Sequence, residues 1–378
     1  MLNSVACGID VAQSKEFLLL HGLRIGLITN HTGLNRDGKA TADLLRQAPG
    51  VQLLTLFSPE HGIRGALDEK VLDGIDPATG LPVFSLYGER VKPTKEQLDG
   101  LNALVFDIQD IGTRFYTYIS TLGNTLEAAA ERNMTYIVLD RPNPIGGTLV
   151  EGCIADSDSL SFTAYHPLPI RHGMTTGELA QLFKAERKLN VKLEIIKSEG
   201  WKRSDLWDTT NLTWVNPSPN MRSLTQALLY PGIGLLETTN VSVGRGTDTP
   251  FEIVGAPWLN GRSLASELND RDLPGVRFIP IRFTPRSSVH AGELCGGVQI
   301  VITARHRFVP VYTGLTIAET LLRLFPKAWD TARYNALLVN KEAYHALLAG
   351  ATADTLIKNW QKDVATFSKR RKPHLLYG

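Results

Sequence analysis

The sequence predicts an α/β protein in which a doubly wound, mostly parallel sheet is followed by a second, smaller α+β domain. Its 378 residues exceed what one hydrophobic core normally holds, so two domains are expected. In the first half, short apolar runs alternate with polar loops and helical stretches. The runs are rich in Val, Ile and Leu and do not alternate with polar residues, which is typical of strands covered on both faces of a parallel sheet.

Each element of the first domain follows from its local sequence. The apolar runs predict five strands, at residues 24–29, 51–57, 82–86, 103–108 and 135–139. Helices are expected in the gaps, at 41–47, 94–98 and 118–132, the last with an Ala-rich interior. Alternating strands and helices are typical of a doubly wound sheet, in which ligands bind at the carboxyl ends of the strands.

A change in composition marks the second domain. Before it, strands are expected at 168–171 and 193–196, with a helix at 176–187 whose start is marked by Thr175 or Thr176 together with Glu178. After about Trp201 the chain becomes irregular and rich in Trp, Pro, Asn and Gly. Strands at 277–283 and 297–303 and helices at 317–324 and 341–348 then predict an α+β fold. We therefore place the boundary near residue 205, between a first domain of residues 1–205 and a second of residues 206–378.

Composition and charge exclude several classes of protein. Lys plus Arg is 40 and Asp plus Glu is 38, so the formal charge is +2. The chain therefore lacks the large excess of positive charge that is typical of a nucleic-acid binder or a polybasic membrane protein. No apolar run approaches the length of a bilayer span. The three cysteines lack zinc or disulfide spacing and are expected to be buried apolar residues. The N-terminus has no signal-peptide pattern, which fits either a protein not exported by this route or a chain that begins after its signal.

Polar side chains follow four of the predicted strands at the point where each strand ends. In chain order these are Asn30, then Glu60 and His61, then Gln109, Asp110 and Arg114, and finally Asp140, Arg141 and Asn143. Because the carboxyl ends of parallel strands meet at one edge of the sheet, these residues are expected to form one site.

Glu60 is the main candidate for acid catalysis. A carboxyl group directly after a buried strand is partly desolvated, and this favours the protonated form needed for proton donation. His61 offers a second proton carrier or a hydrogen bond. The alternative is an ordinary turn in which Pro59 ends the strand and Glu60 is solvated. Cleavage of a glycosidic bond uses two carboxyl groups, or one acid and an amide of the substrate. Other carboxylates in segments rich in Gly and polar residues are candidates for the second group: Asp107, Asp110, Asp140, Glu237 and Glu252.

Other patterns indicate a ligand but have simpler explanations. Arginines in the same loops suit a substrate that bears a carboxylate, although each can instead form a structural ion pair; they are Arg64, Arg114, Arg141 and Arg245. Asn143 and Asn220 can bind sugar hydroxyls or form turns. Residues 33–39 match the spacing of a P-loop, but Ala40 stands where a hydroxyl must reach Mg²⁺. His172 joins Glu60, His61 and Asp110 as a metal ligand by residue type, but no metal-binding spacing supports it, and no cofactor is expected.

A series of long motifs occurs in the order typical of one known family. The motifs are residues 57–65, 85–88, 106–118, 139–144, 171–175, 218–221 and 244–247. Together they resemble the exo-β-N-acetylmuramidase family of the NamZ type, from about Gly8 to beyond Gly297. The resemblance implies a Rossmann-like domain beside a smaller C-terminal domain, with the site in the cleft between them. It also implies release of terminal N-acetylmuramic acid from the non-reducing end of peptidoglycan fragments. This chain departs from the family at Thr238, where Gly is expected.

The resemblance implies the role of Glu60, and the residue types lead us to hypothesise roles for the others. Glu60 corresponds to the general acid/base and is expected to protonate the leaving oxygen with help from His61. The positive charge at the sugar is then met by Glu237, by Asp110 or by the 2-acetamido oxygen of the substrate. The lactyl carboxylate of muramic acid is expected to pair with Arg64, Arg114 or Arg245. The remaining predicted substrate-binding residues are Asn30, Gln109, Tyr116, Asp140, Arg141, Asn143, His172 and Asn220.

Two functions from other classes explain part of the same pattern. A non-catalytic peptidoglycan-binding protein would keep the arginines and aromatic residues without a proton donor. A P-loop-like nucleotide-dependent enzyme would use Lys39 and is less favoured. Under the main hypothesis the partners are muramic-acid glycans derived from peptidoglycan, with no nucleic acid and no membrane span.

Overall fold

A large, mostly parallel sheet organises the first half of the protein. The computed structural model describes residues 4–63 and 72–378. The strands of the described residues, from all sheets and in chain order, are β1 (Arg24–Thr29), β2 (Gln52–Ser58), β3 (Gly74–Ile75), β4 (Pro82–Ser85), β5 (Ala103–Asp107), β6 (Thr135–Leu139), β7 (Glu151–Ile154), β8 (Pro169–Arg171), β9 (Lys192–Ile196), β10 (Ile253–Ala256), β11 (Val276–Phe283) and β12 (Cys295–Ile302). The large sheet has the order β3-β4-β2-β1-β5-β6-β9, and only β3 is antiparallel to its neighbour. The order reverses between β1 and β5, as in a doubly wound sheet, so the predicted fold class is confirmed.

Helices cover both faces of this sheet. The helices of both domains, in chain order, are α1 (Gly8–Ser14), α2 (Thr41–Gln47), α3 (Tyr118–Glu131), α4 (Thr176–Glu186), α5 (Leu224–Ile233), α6 (Gly261–Asp270), α7 (Pro310–Leu324), α8 (Asn335–Leu338), α9 (Lys341–Leu348) and α10 (Ala353–Arg371). Those that cover the large sheet are α1 to α4. Successive residues of β5 point to opposite faces: Val105 packs in the cluster that contains α1 and α2, and Phe106 in the cluster that contains α3 and α4. Burial on both faces explains why these strands read as continuous apolar runs.

Most predicted elements of the first domain are confirmed, with two differences. The strands at 24–29 and 135–139 form as predicted. The predicted strand at 168–171 forms as β8 but does not join the large sheet; it pairs antiparallel with β7. Pro169 lacks the N–H that a strand within a sheet must donate, so it fits a short separate pair. The helix predicted at 94–98 is only a 3₁₀ turn, Glu96–Leu98.

The second domain is α+β, as predicted. Strand β12 lies between β10 and β11 in an antiparallel sheet, and α6 and α7 pack nearby. Helices α5 and α7 approach closely at Gly232 and Gly314. Glycine is needed at both positions, because a Cβ on either residue would lie within 2.5 Å of the backbone of the other helix. Leu229 of α5 and Leu315 of α7 belong to the same apolar cluster as Phe106. The core is therefore continuous between the two domains, which fixes the walls of the space between them.

The end of the chain returns to the first domain. Helix α10 was not predicted, and its last residue, Arg371, donates hydrogen bonds to the carbonyl oxygens of Gly147, His172 and Gly173. The hydroxyl of Tyr377 then donates to an oxygen of Asp140 at 2.6 Å. Across the two described ranges, no helix combines the length and apolar character needed to span a bilayer.

Candidate active site

A cleft of about 650 Å³ lies where loops at the carboxyl edge of the large sheet face the second domain. One wall carries Glu60, His61 and the segment 115–118 of the first domain. The opposite wall carries Tyr230, Glu237, Thr238, Arg245, Arg333 and Leu337. The volume falls in the range of small-molecule sites and suits a sugar unit.

Glu60 is held at the edge of this cleft by a hydrogen bond from a neighbouring loop. It lies two residues after the end of β2, and the hydroxyl of Thr117 donates to its Oε2 at 2.6 Å. His61 and Gly62 both have left-handed backbone angles, with φ of 71° and 75°, so the chain turns sharply after Glu60. Glu60 is half-buried. The sequence prediction that Glu60 and His61 lie in a cleft between the two domains agrees with this geometry.

Three tyrosines form the side of the cleft next to Glu60. The ring of Tyr116 meets that of Tyr118 at a centroid distance of 4.9 Å and that of Tyr230 at 5.8 Å, both edge to face. Burial raises the pKa of each phenol well above its ordinary value, so the hydroxyls stay protonated. The hydroxyl of Tyr118 donates to the carbonyl oxygen of Pro217. Tyr116, which was predicted to bind substrate, therefore lies in the cleft.

Glu237 is a second carboxylate in the same cleft. Arg245 donates to its Oε1 from Nη1 at 2.6 Å, and the hydroxyl of Tyr230 lies 3.5 Å from Oε2. Burial raises the pKa of Glu237, and the negative charge of Glu60 raises it further, while Arg245 lowers it. Since the charge of Glu60 acts on Glu237, the two carboxyl groups share one electrostatic environment.

Asp110 and His172 lie outside the cleft lining, beside each other in the protein interior. Oδ2 of Asp110 accepts a 2.7 Å hydrogen bond from the backbone N–H of Gly112, and Nε2 of His172 lies 3.9 Å from the same oxygen. Burial raises the pKa of Asp110 to about 7 and lowers the pKa of His172 to about 3. Nδ1 of His172 accepts from the N–H of Met174, so the ring hydrogen is on Nε2. Neither residue lines the cleft that holds Glu60 and Glu237.

Arg114 is fully buried and holds two parts of the protein together. Its Nη1 donates to the carbonyl oxygens of Cys153 and Leu168, and its Nη2 to those of Leu337 and Leu338. With four carbonyl partners and no exposed surface, the guanidinium has no access to a substrate carboxylate. This corrects the expectation that Arg114 binds the lactyl group.

Asp140, Arg141 and Asn143 are also structural, which corrects their prediction as substrate ligands. Asp140 accepts hydrogen bonds from three residues at the start of α4, Thr175, Thr176 and Gly177, and one from Tyr377. Arg141 forms a buried ion pair with Asp107 at 2.5 Å. Asn143 bonds the Met174 carbonyl and the Ile145 N–H, which is the turn role that its flanking prolines indicate. The polar groups of these three side chains therefore have their partners within the protein.

The remaining predicted residues divide between the cleft and its surroundings. Asn220 and Arg245 line the cleft. Asn30 and Gln109 are buried at the ends of β1 and β5 and do not line it. Arg64 lies outside the described residues. The P-loop alternative is not supported, because the Thr41 hydroxyl donates to Asp107 at 2.5 Å. Among residues 4–63 and 72–378, no cluster of three or more His, Cys, Asp or Glu side chains suits a metal ion.

Sequence reasoning missed Thr117, Tyr230 and Arg333. Thr117 lies inside the motif at 106–118, so that motif was an available signal. Tyr230 lies in α5, an apolar helix that contains Pro231. Arg333 lies in an irregular segment without a motif, and only the fold brings it to the cleft.

Comparison with known proteins gives one consistent result. Residues 25–225 match the N-terminal family model of the exo-β-N-acetylmuramidase NamZ, and residues 228–377 match its C-terminal model. A peptidoglycan β-N-acetylmuramidase NamZ from Bacillus subtilis is 43% identical over 378 residues, which is 99% of this chain and 91% of that protein. Crystal structures of two DUF1343 family proteins from Bacteroides fragilis are similar. One has a TM-score of 0.94 at 36% identity over all of both chains, and the other 0.82 at 30% identity over 99% of both.

Proposed function

The chain belongs to the NamZ family of exo-β-N-acetylmuramidases and is a glycosidase that acts on peptidoglycan, and from this premise we propose that Glu60 and Glu237 carry out the cleavage. The observation that carries the proposal is that these two carboxyl groups lie in one cleft of about 650 Å³. Glycosidases use two such groups on either side of the scissile bond. The substrate is a glycan derived from peptidoglycan with N-acetylmuramic acid at its non-reducing end.

Glu60 is the proton donor in this proposal. Its Oε2 already accepts the hydrogen bond from Thr117, so the other oxygen, Oε1, carries the proton. As the bond between C1 and the glycosidic oxygen breaks, that proton passes to the leaving oxygen and Glu60 becomes a carboxylate. His61, next to it in the cleft, assists in holding or exchanging the proton.

Glu237 is the group that meets the positive charge developing at the sugar. Its ion pair with Arg245 supports the ionised form, which is the form that stabilises an oxocarbenium-like centre. Water then adds to C1 and supplies the proton that restores the acid. Asp110 suits this role less well, because it is buried outside the cleft lining and no arginine among the described residues offsets the rise in its pKa that burial causes.

The proton-donor role is tested with Glu60→Gln on muramic acid glycosides whose leaving groups differ in acidity. We expect kcat to fall by about 10²–10⁴-fold on a poor leaving group such as a second sugar, the usual contribution of a general acid. The loss should be much smaller on a dinitrophenyl glycoside, because that leaving group needs no proton. Glu131→Gln, at an exposed ion pair with Lys92, is the matched control. Equal losses on both substrates, or near-full activity, would refute the assignment.

The choice between the two second carboxylates is tested with Glu237→Gln and Asp110→Asn. We expect the Glu237 variant to lose at least 10²-fold in kcat on every leaving group, while the Asp110 variant stays within about tenfold of the parent. The opposite ranking would assign the role to Asp110. An unmodified enzyme that binds muramic acid glycosides without turnover would instead support the non-catalytic alternative.

A further inference from the structure

Recognition of muramic acid requires a cation at the cleft. Muramic acid differs from glucosamine by a lactyl ether that carries a carboxylate, and a carboxylate entering a partly desolvated cleft needs a cationic partner. An arginine is the most suitable partner, because its planar guanidinium binds a carboxylate through two hydrogen bonds. The candidate arginines differ in whether their N–H groups already have hydrogen-bond or ion-pair partners within the protein.

Three of the arginines that were predicted to bind substrate already have partners within the protein. Arg114 is fully buried and donates to four carbonyl oxygens. Arg141 is paired with Asp107. Arg245 lines the cleft, but its Nη1 is 2.6 Å from Oε1 of Glu237, so it belongs to the catalytic carboxylates. A second carboxylate at Arg245 would compete with Glu237 for the same charge.

Arg333 differs from these three. It is exposed, lines the cleft from the second domain, and its guanidinium has no hydrogen bond or ion pair with any residue in the described part of the chain. Within the described residues it forms no hydrogen bond or ion pair with Glu60 or Glu237. A cation that is not paired with the catalytic carboxylates suits a group on C3 of the sugar, which lies away from the bond that breaks at C1.

The backbone that carries Arg333 is fixed from two sides. The hydroxyl of Thr238 donates to the Arg333 carbonyl oxygen at 2.8 Å, and Thr238 is the position where the family pattern has Gly. On the other side, Arg114 binds the carbonyl oxygens of Leu337 and Leu338. Only the side chain of Arg333 therefore has to be ordered when a ligand binds, which limits the entropic cost of recognition.

We propose, on the basis of the function proposed above, that Arg333 binds the lactyl carboxylate of the terminal muramic acid and that Thr238 positions it. Arg333 selects muramic acid over neutral amino sugars, and it does so from the wall opposite the proton donor. Arg245 orients Glu237 and takes no part in this selection.

The test compares two substrates in the Arg333→Met variant. One is an aryl β-glycoside of N-acetylmuramic acid, and the other is the same compound with the lactyl carboxylate converted to its neutral amide. We expect kcat/KM on the acid to fall about 10–100-fold, mainly through KM, because a hydrogen-bonded charge is lost. On the amide we expect a change of less than twofold. Arg333→Lys should keep part of the preference for the acid over the amide. Thr238→Gly should lower kcat/KM about two- to fivefold on the acid and leave kcat/KM on the amide unchanged.

Controls separate this inference from the proposed function. Arg307→Met removes an exposed arginine of the same domain outside the cleft lining and should change neither substrate. If the parent enzyme cleaves the acid substrate and Arg333→Met weakens both substrates equally, the assignment of Arg333 fails while the activity stands. The assignment would also be overturned if Arg64→Met lost the preference for the acid over the amide while Arg333→Met kept it. Absence of turnover in the parent would refute the proposed function itself.

Discussion

The hydroxyl of Thr117 donates a 2.6 Å hydrogen bond to Oε2 of Glu60 and makes no capping bond to the helix that it precedes. A threonine at the N-cap of a helix normally accepts a hydrogen bond from a backbone N–H within the first turn, which stabilises the helix by about 1 kcal/mol. Here α3 begins without that bond, while α4 has it at Thr175. Local rules of this kind are broken most often at functional sites, so the exception supports a catalytic use of Glu60.

The first prediction concerns this bond. Thr117→Val keeps the shape of the side chain but removes the donor to Glu60, so Oε2 is no longer fixed. We expect kcat to fall about 10–100-fold, the equivalent of one hydrogen bond to a charged group, with little change in KM. Steady-state kinetics on a muramic acid disaccharide gives both constants.

Two further results check the cause. Thr117→Ser retains the hydroxyl and should keep most of the activity. Because the hydroxyl does not cap α3, the melting temperature of Thr117→Val should stay close to that of the parent. An unchanged kcat, or a loss of stability of the size expected for a helix cap, would contradict the role assigned to this hydroxyl.

The second prediction concerns the dependence of stability on pH. Burial raises the pKa of Asp110 from 3.8 to about 7. Between these values the folded chain holds a proton that the unfolded chain has lost, so the free energy of unfolding contributed by this group falls as pH rises from about 4 to 7. Asp110→Asn removes the titration. We therefore expect the variant to match the parent near pH 4 and to be more stable at pH 8, by up to a few kcal/mol at about 1.4 kcal/mol per pKa unit.

Thermal or urea unfolding at a series of pH values measures this difference. Asp99→Asn is a suitable control, since its carboxylate is exposed in an ion pair with Arg132. A stability difference between Asp110→Asn and the parent that does not change between pH 4 and pH 8 would show that Asp110 does not hold its proton in the folded state.

The elements of the sheet were predictable because they depend on neighbouring residues. A strand such as Arg24–Thr29 is encoded by its own apolar run, and the position of Glu60 follows from its place two residues after the end of the next strand. The long final helix was missed, although the sequence from 353 to 371 contains no Gly or Pro. Its polar composition gave no apolar run to indicate an element of the core.

The roles of the arginines were not predictable, because they depend on distant parts of the chain. The partners of Arg114 at Leu337 and Leu338 lie 223 and 224 residues further on. No pattern around Arg114 distinguishes a guanidinium that binds carbonyl oxygens from one that binds a substrate. Arg333 presents the reverse case, since only the fold brings an isolated surface arginine to the cleft.

The third prediction tests the structural role of Arg114. Arg114→Met removes a donor from four buried carbonyl oxygens, of which that of Leu168 still accepts a hydrogen bond from the N–H of Ala155. Each buried group left unsatisfied costs about 1–3 kcal/mol. Some of these groups can gain water, so we expect a net loss of about 3 kcal/mol or more in the free energy of unfolding. Arg114→Lys should also destabilise the protein, because an ammonium group offers three donors and no planar fork. Chemical denaturation, with the slope of the transition held constant, measures both losses.

Stability and selectivity together distinguish the two roles that have been considered for Arg114. Arg132→Met, which removes an exposed ion pair with Asp99, should cost no more than about 1 kcal/mol and serves as the matched control. If Arg114 bound the lactyl carboxylate, its substitution would lower the preference for the acid over the neutral amide while leaving stability nearly intact. Because its donors all end on carbonyl oxygens of the protein, the structural role requires the opposite: a large loss of stability, with an unchanged preference in the fraction of enzyme that stays folded.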